Sequence, residues 1–409
     1  MSSSNGITQN NLSTNENPPP VIENKEQHFQ EINSWDELDI PTSLLRGIYG
    51  YGFEKPSPIQ KKAIDPIIKG KDIIAQAQSG TGKTATFTIG LLSQVNLAEN
   101  STQVVVLSPT RELTEQTKKV ITSIGGMMEG LTVQTLVGGT YIDEDISIYN
   151  RTTPHVIVGC PGRVFDIMRR NVISTKKIKM VVIDEADEML SSGFKDQLYN
   201  IFQYFNNDVQ VALFSATLPT NIYDVTDKFM RNPVKIEVKA EQLTLEGISQ
   251  YFVALDDDKQ KYDTLKDLYS FLSVSQCIIY CNSVKRVVDL YEAMKEDQFP
   301  VCCIHSDMDS KMRKECFEEF RVGKSRVMIS SNVTARGIDV QQVSVVINFD
   351  VPKCIHTYLH RIGRSGRWGR KGVGINFITR RDVFKIKEIE QYYATEIKEL
   401  PGNINNLVA

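Results

Sequence analysis

Residues 72–84 read DIIAQAQSGTGKT, and the chain runs on as ATFTIGLL to Leu92. An apolar, β-branched run that ends in small residues predicts a strand buried on both faces, and the longer apolar stretch beyond predicts a helix. Between them Gly80, Thr81 and Gly82 lead into Lys83 and Thr84. A glycine turn that opens a helix aims backbone N–H groups at phosphate. A lysine placed there reaches the β and γ oxygens, and the threonine hydroxyl can ligate Mg²⁺. Ala77 stands where the commonest form of this loop has its first glycine, with Gln78 and Ser79 filling the turn. Gly323, Lys324 and Ser325 look similar but follow the helical run KECFEEFRV and precede the strand-like RVMISS. No helix N-terminus faces phosphate there, so one ATP per chain is expected.

Outward from this loop the pattern repeats. VVVLSP (104–109), VIVGCP (156–161), MVVIDE (180–185) and VALFSA (211–216) complete a first set of buried strands. CIIYCN (277–282), VCCIHS (301–306), RVMISS (326–331), VVINFD (345–350) and VGINFI (373–378) form a second. Amphipathic stretches separate them, so the fold class is α/β with two parallel sheets. Nearly every strand runs into small or charged residues, and ligands of open α/β sheets bind beyond the carboxyl ends of strands. The expected organisation is a disordered tail at 1–34, a first domain at 35–237, a linker at 238–247 and a second domain at 248–409.

Composition narrows the function classes. The 409 residues carry 41% apolar and 24% charged side chains with a net charge of -3, so no global basic field draws in nucleic acid and any RNA must be held by local groups. Cys160, Cys277, Cys281, Cys302, Cys303, Cys316 and Cys354 lack paired zinc-site spacing, and reduced core thiols are expected. The N-terminus lacks the basic and apolar regions of a signal peptide, and no stretch approaches bilayer length. An intracellular, soluble protein is expected.

Two further segments carry chemistry. Asp184, Glu185, Ala186 and Asp187 follow the strand MVVI. A carboxylate at a strand tip beside a phosphate loop can hold Mg²⁺ through water, here Asp184, while its neighbour Glu185 orients the attacking water. His360 to Arg367 read HRIGRSGR. Guanidinium groups delivered from the second domain, Arg364 and Arg367, can stabilise charge on the γ-phosphate, and their spacing predicts one shared helical face.

The ordered set GFEKPSPIQ, AQSGTGKT, PTREL, GG, PGR, DEAD, SAT, ARGID and HRIGRSGR over residues 35–398 resembles the DEAD-box RNA helicases, and YGFEKPS, VIDEADEML and RKGVGINF resemble their initiation factor 4A branch. The resemblance implies two RecA-like domains and an RNA-stimulated ATPase that remodels short duplexes without sequence specificity. It implies that Phe53 stacks on adenine and Gln60 reads its edge, although Ser57, Pro58 and Gln60 also spell a helix-capping box. It implies that Asp339 meets the ribose and that Ser215, Thr217 and His360 couple nucleotide state to unwinding. RNA would follow Pro109, Thr110, Arg111, Gly138, Gly139, Gly162 and Arg163 on the first domain and Arg313 on the second.

Departures from the family pattern are Cys160 for Thr, Ser310 for Gln and Asn332 for Asp. The implied partners are single-stranded and short duplex RNA and a protein scaffold bridging both domains, with no membrane and a monomeric chain. The implied setting is cytoplasmic translation initiation. An RNA clamp of the exon-junction or nucleolar type, which would place the protein in the nucleus, is the alternative.

Overall fold

The computed structural model describes residues 29–77, 80–191, 193–218, 220–237, 247–271, 276–334, 343–365 and 372–402. Gln78, Ser79, Asp339, Arg367 and most of the expected linker lie outside them, as does the side chain of Ser310.

Two parallel sheets are built as expected, but each has seven strands rather than five. The first contains β1 (Ile73–Gln76), β2 (Val104–Leu107), β3 (Val133–Leu136), β4 (Val156–Gly159), β5 (Met180–Ile183), β6 (Gln210–Ser215) and β7 (Val234–Glu237) in the order β3-β4-β2-β5-β6-β1-β7. The second contains β8 (Ile248–Ala254), β9 (Gln276–Tyr280), β10 (Val301–Ile304), β11 (Val327–Ser330), β12 (Val343–Asn348), β13 (Gly372–Ile378) and β14 (Lys398–Glu399) in the order β10-β11-β9-β12-β13-β8-β14. Position by position, the second order is the first with seven added to each strand. The two lobes are therefore copies of one topology.

Alternation along each strand feeds two core layers per lobe. Ile73 and Ala75 of β1 point into one layer and Ile74 into the other; Val104 and Val106 of β2 oppose Val105 and Leu107 in the same way. In the second lobe Cys277 and Ile279 face away from Ile278 and Tyr280. Each buried Val or Ile contributes about 1.5–3 kcal/mol, which is why these runs read as continuous hydrophobic stretches. Packing also reaches back into the expected tail. Ile32 joins the first-lobe core, and its N–H donates to Lys61 O at 3.1 Å.

All seven cysteines are free, and burial pushes the thiols of Cys281 and Cys302 up to about 12. No helix among the described residues is long and apolar enough to cross a membrane.

Candidate active site

The loop after β1 is anchored at Ala77, whose N–H donates to Ser215 O at 3.0 Å. Gly80 and Gly82 take left-handed φ values of 87° and 101°, which an L side chain resists. At Gly82 space is also short, because an added Cβ would lie 2.7 Å from Gln60 Nε2. Lys83 opens the helix Lys83–Gln94, is 6% exposed, and sets Nζ 3.4 Å from Glu185 Oε1. Thr84, half-buried, follows on the first turn.

Gln60 serves two ends at once. Its Oε1 accepts from Ser57 N–H at 2.7 Å, which makes the capping contact, while its amide nitrogen lies over Gly82. Phe53 is half-buried with its ring against Tyr51 and Trp35, and Trp35 Nε1 donates to Phe53 O at 3.1 Å.

The acids are buried: Asp184 is 2%, Glu185 4% and Asp187 3% exposed. Burial, then the neighbouring Glu185 charge, raises the Asp184 carboxyl to about 7, with Lys83 opposing. Glu185 N–H donates to Asp184 Oδ1 at 3.0 Å, and Glu185 itself holds a φ of 50°. A non-glycine in that region costs about 1 kcal/mol, a strain that the turn sustains next to the chemistry.

Asp187, which the sequence reading quoted but gave no role, is the hub. Its Oδ2 accepts from Thr217 Oγ1 at 2.7 Å and lies 3.0 Å from His360 Nε2, and its N–H donates to Ser215 Oγ at 3.3 Å. The three expected coupling residues thus converge on one aspartate, Thr217 and His360 at its carboxylate and Ser215 at its backbone N–H. His360 comes from the second lobe, so this contact joins the halves. The available signal was the third acid of the tetrapeptide itself.

The helix Ile355–Ile362 carries His360 and Arg361 and ends at its C-cap, Gly363. Arg364 therefore lies in the turn beyond the helix, and a shared helical face does not place it. The glycines at 363 and 366 weaken helix continuation, a cost that the spacing argument ignored. Arg364 is 2% exposed, and its Nε donates to His360 O at 3.1 Å. Arg361 is fully buried. Its guanidinium donates to Asn332 Oδ1 at 2.6 and 3.0 Å, Asn348 Oδ1 at 3.1 Å, Asn282 Oδ1 at 2.8 Å and Asp350 O at 2.8 Å. With neutral acceptors around it, burial holds this arginine down at about 10.

A cleft of about 430 Å³ runs between the lobes, lined by Pro109, Thr110, Arg111, Gly138, Gly162, Arg163 and Arg313. Of the expected RNA residues only Gly139 is missing from the lining, and its left-handed turn (φ 84°) supports Arg111, whose Nη2 lies 2.6 Å from where a Cβ would be. Thr110 caps the following helix by accepting from Leu113 N–H at 3.3 Å.

Arg163 lines the cleft, but both terminal nitrogens are engaged, by Asp145 and by Thr140. It offers shape more than a free cation. Arg313 Nη2 crosses to Glu112 Oε1 at 2.8 Å, while Arg313 Nε is buried without a hydrogen-bond partner among the described residues. Cys160 occupies the N-cap of the helix Pro161–Arg169 without a side-chain cap bond, where a threonine hydroxyl would add about 1 kcal/mol. Phe194 and Gln197 also line the cleft, and neither carried a sequence signal.

Residues 57–225 match the DEAD/DEAH box helicase family and residues 260–369 the helicase conserved C-terminal domain. Over 379 residues the chain is 51% identical to eukaryotic initiation factor 4A of Caenorhabditis elegans, covering 93% of this chain and 94% of that protein. The chain is a DEAD-box helicase of the initiation factor 4A family. As such it is an RNA-stimulated ATPase and RNA helicase that uses ATP and binds RNA.

Among solved structures, this helicase resembles a point variant of Dbp5 from S. cerevisiae bound to RNA and ADP BeF3. The two are 35% identical, covering 92% of this chain and 97% of that one, with a TM-score of 0.84. A Dbp5 variant bound to Nup159, a Gle1 variant, IP6 and ADP is 33% identical, covers 89% and 96%, and scores 0.61. Of these two, the form bound to RNA and ADP BeF3 superposes better on this chain.

Proposed function

We propose that this helicase works as an initiation factor 4A enzyme in the cytoplasm, as a monomer whose two lobes, near residues 35–237 and 248–409, close on ATP and one RNA strand together. The observation that carries the reading is the 3.0 Å contact between Asp187 of the first lobe and His360 of the second, which exists only when the lobes meet.

Phe53 and the amide nitrogen of Gln60 receive adenine, and Asp339 meets the ribose. Residues 77–84 wrap the phosphates, with Lys83 on the β and γ oxygens. Two buried acids, one lifted to about 7 by burial and then by its neighbour's charge, suit a hard divalent cation, held by Thr84 and, through water, by Asp184. Mg²⁺, when bound, neutralises charge on the phosphate oxygens. Glu185 orients and deprotonates the attacking water, and Arg364 with Arg367 stabilises charge spreading over the γ-phosphate.

RNA lies along residues 109–111, 138–139, 162–163 and Arg313, which approach its backbone and read no base. The unpartnered Arg313 Nε is a donor for that backbone. Closure bends the bound strand so that a short duplex loses its partner, and hydrolysis reopens the clamp. A protein scaffold touching both lobes sets how often this occurs.

Glu185→Gln tests the assignment. It should bind a nonhydrolysable ATP analogue and RNA at wild-type affinity while turnover falls about a hundredfold or more. Turnover at the wild-type rate would remove Glu185 from its role. Duplex release by the wild-type chain, measured in parallel, separates a helicase from a static RNA clamp.

A further inference from the structure

Because the second sheet repeats the first, each loop of the nucleotide site has a counterpart in the second lobe. Lys83 stands seven residues past the end of β1, and Lys261 stands seven past the end of β8. Glu185 lies two residues past β5, and Asp350 two past β12. The counterparts meet in the same way. Lys261 Nζ is 3.3 Å from Asp350 Oδ1, against 3.4 Å for Lys83 and Glu185, and both lysines are almost fully buried.

What differs is the turn facing the lysine. Counted from the strand ends, Gly80 of the first lobe corresponds to Asp258 of the second, and Asp258 Oδ1 lies 3.0 Å from Lys261 Nζ. One of the chain's own carboxylates meets the lysine where the first lobe has a glycine. The second lobe has kept the pair and given up the phosphate.

A buried ion pair with no ligand to bind still fixes geometry. Asp350 Oδ1 also lies 2.8 Å from Arg286 Nε in a second ion pair, and Asp350 Oδ2 accepts from Asn282 N–H at 3.0 Å, so its carboxylate ties β9, β12 and two helices together. Arg361 rests on the result. Its Nη1 donates to Asp350 O and its Nη2 to Asn282 Oδ1, both at 2.8 Å. Arg361 follows His360 directly and precedes Arg364 by three residues.

We propose that Asp350 is a positioning residue for ATP hydrolysis. By fixing the tips of β9 and β12 at the separation Arg361 spans, it sets the end of the helix Ile355–Ile362, and so places His360 against Asp187 and Arg364 toward the γ-phosphate. The inference rests on the role given above to Arg364.

The test is steady-state ATPase at saturating RNA for Asp350→Asn and Asp350→Glu, with thermal melts and binding of a nonhydrolysable ATP analogue. Misplacing a catalytic group by about 1 Å costs up to about a hundredfold. Asp350→Asn should therefore lose about tenfold or more in kcat, with KM for ATP and analogue affinity within about threefold, and Asp350→Glu should recover part of the loss. Wild-type kcat overturns the proposal, as does a fall in analogue affinity that matches the fall in kcat.

If Asp350→Asn does not fold, Arg286→Gln replaces it. A several-fold loss of kcat with a near wild-type melt supports the proposal, and an unchanged kcat overturns it. Glu185→Gln run alongside separates the two readings. If it turns over normally, the account of the site fails. If it is inactive while Asp350→Asn is normal, only the positioning role fails.

Discussion

The two lobes share a strand order and place a buried lysine beside a carboxylate at matching points, yet they put that pair to opposite uses. In the first lobe the left-handed glycines at 80 and 82 put no side chain before Lys83. In the second, Asp256, Asp257 and Asp258 fill the corresponding turn, and the charge of Lys261 is spent within the chain. The fold supplies the place for a ligand, and the turn residues decide whether a ligand or the protein occupies it.

The same substitution in each lobe should separate these uses. Lys83→Met removes a group aimed at the reacting phosphate, so turnover should fall about a thousandfold, with little change in the melting of the nucleotide-free chain. Lys261→Met should do the reverse. Its main effect is a loss of roughly 2 kcal/mol in stability, less than for a fully stripped buried pair because Arg286 still holds Asp350. Denaturant unfolding and ATPase assays on both variants check this, and equal effects on activity would break the comparison.

A contact across the lobes should behave differently from either. Glu112→Gln leaves Arg313 buried without its counter-charge, and only in the closed state. Closure is then disfavoured, and RNA affinity measured with a nonhydrolysable ATP analogue should drop by roughly tenfold, while each lobe melts as before. A lowered melting temperature with unchanged RNA affinity would assign the pair to folding instead.

The smallest expected effect is a pH dependence. Asp184 carries its proton more tightly in the folded chain, at about 7, than it would when exposed near 3.8, so between these values the folded state binds more protons than the unfolded. Its contribution to stability is therefore present below the unfolded value and is lost as pH rises through about 7. Thermal melts of the nucleotide-free chain from pH 5 to 8 should show that decline, and Mg²⁺ with a nucleotide analogue should flatten it by neutralising the pair.

The central strands were legible because burial on both faces leaves continuous apolar runs such as residues 104–107 and 277–280. The strands that the sequence hid lie mainly at the edges. β3, β7 and β14 are outermost in their sheets, and β3 alternates half-buried with buried residues around Gln134. β8 is interior, but ISQYFVA mixes polar with apolar residues and gives no run.

Motifs held together by local spacing were equally readable. Partnerships between distant segments were not: nothing at Asp187 points to Thr217 and His360, and nothing at Arg163 reveals that Asp145 holds it. The match between Lys261 and Lys83 needs the strand order, because their flanking residues share no pattern.

The most direct test of the account is a crystal structure with RNA and a nonhydrolysable ATP analogue bound. The account predicts a single nucleotide over Lys83, with the Arg364 guanidinium about 3 Å from its γ-phosphate and Lys261 still paired with Asp258 and Asp350. A nucleotide seated over Lys261, or Arg364 turned away from the phosphate while RNA fills the cleft, would contradict it.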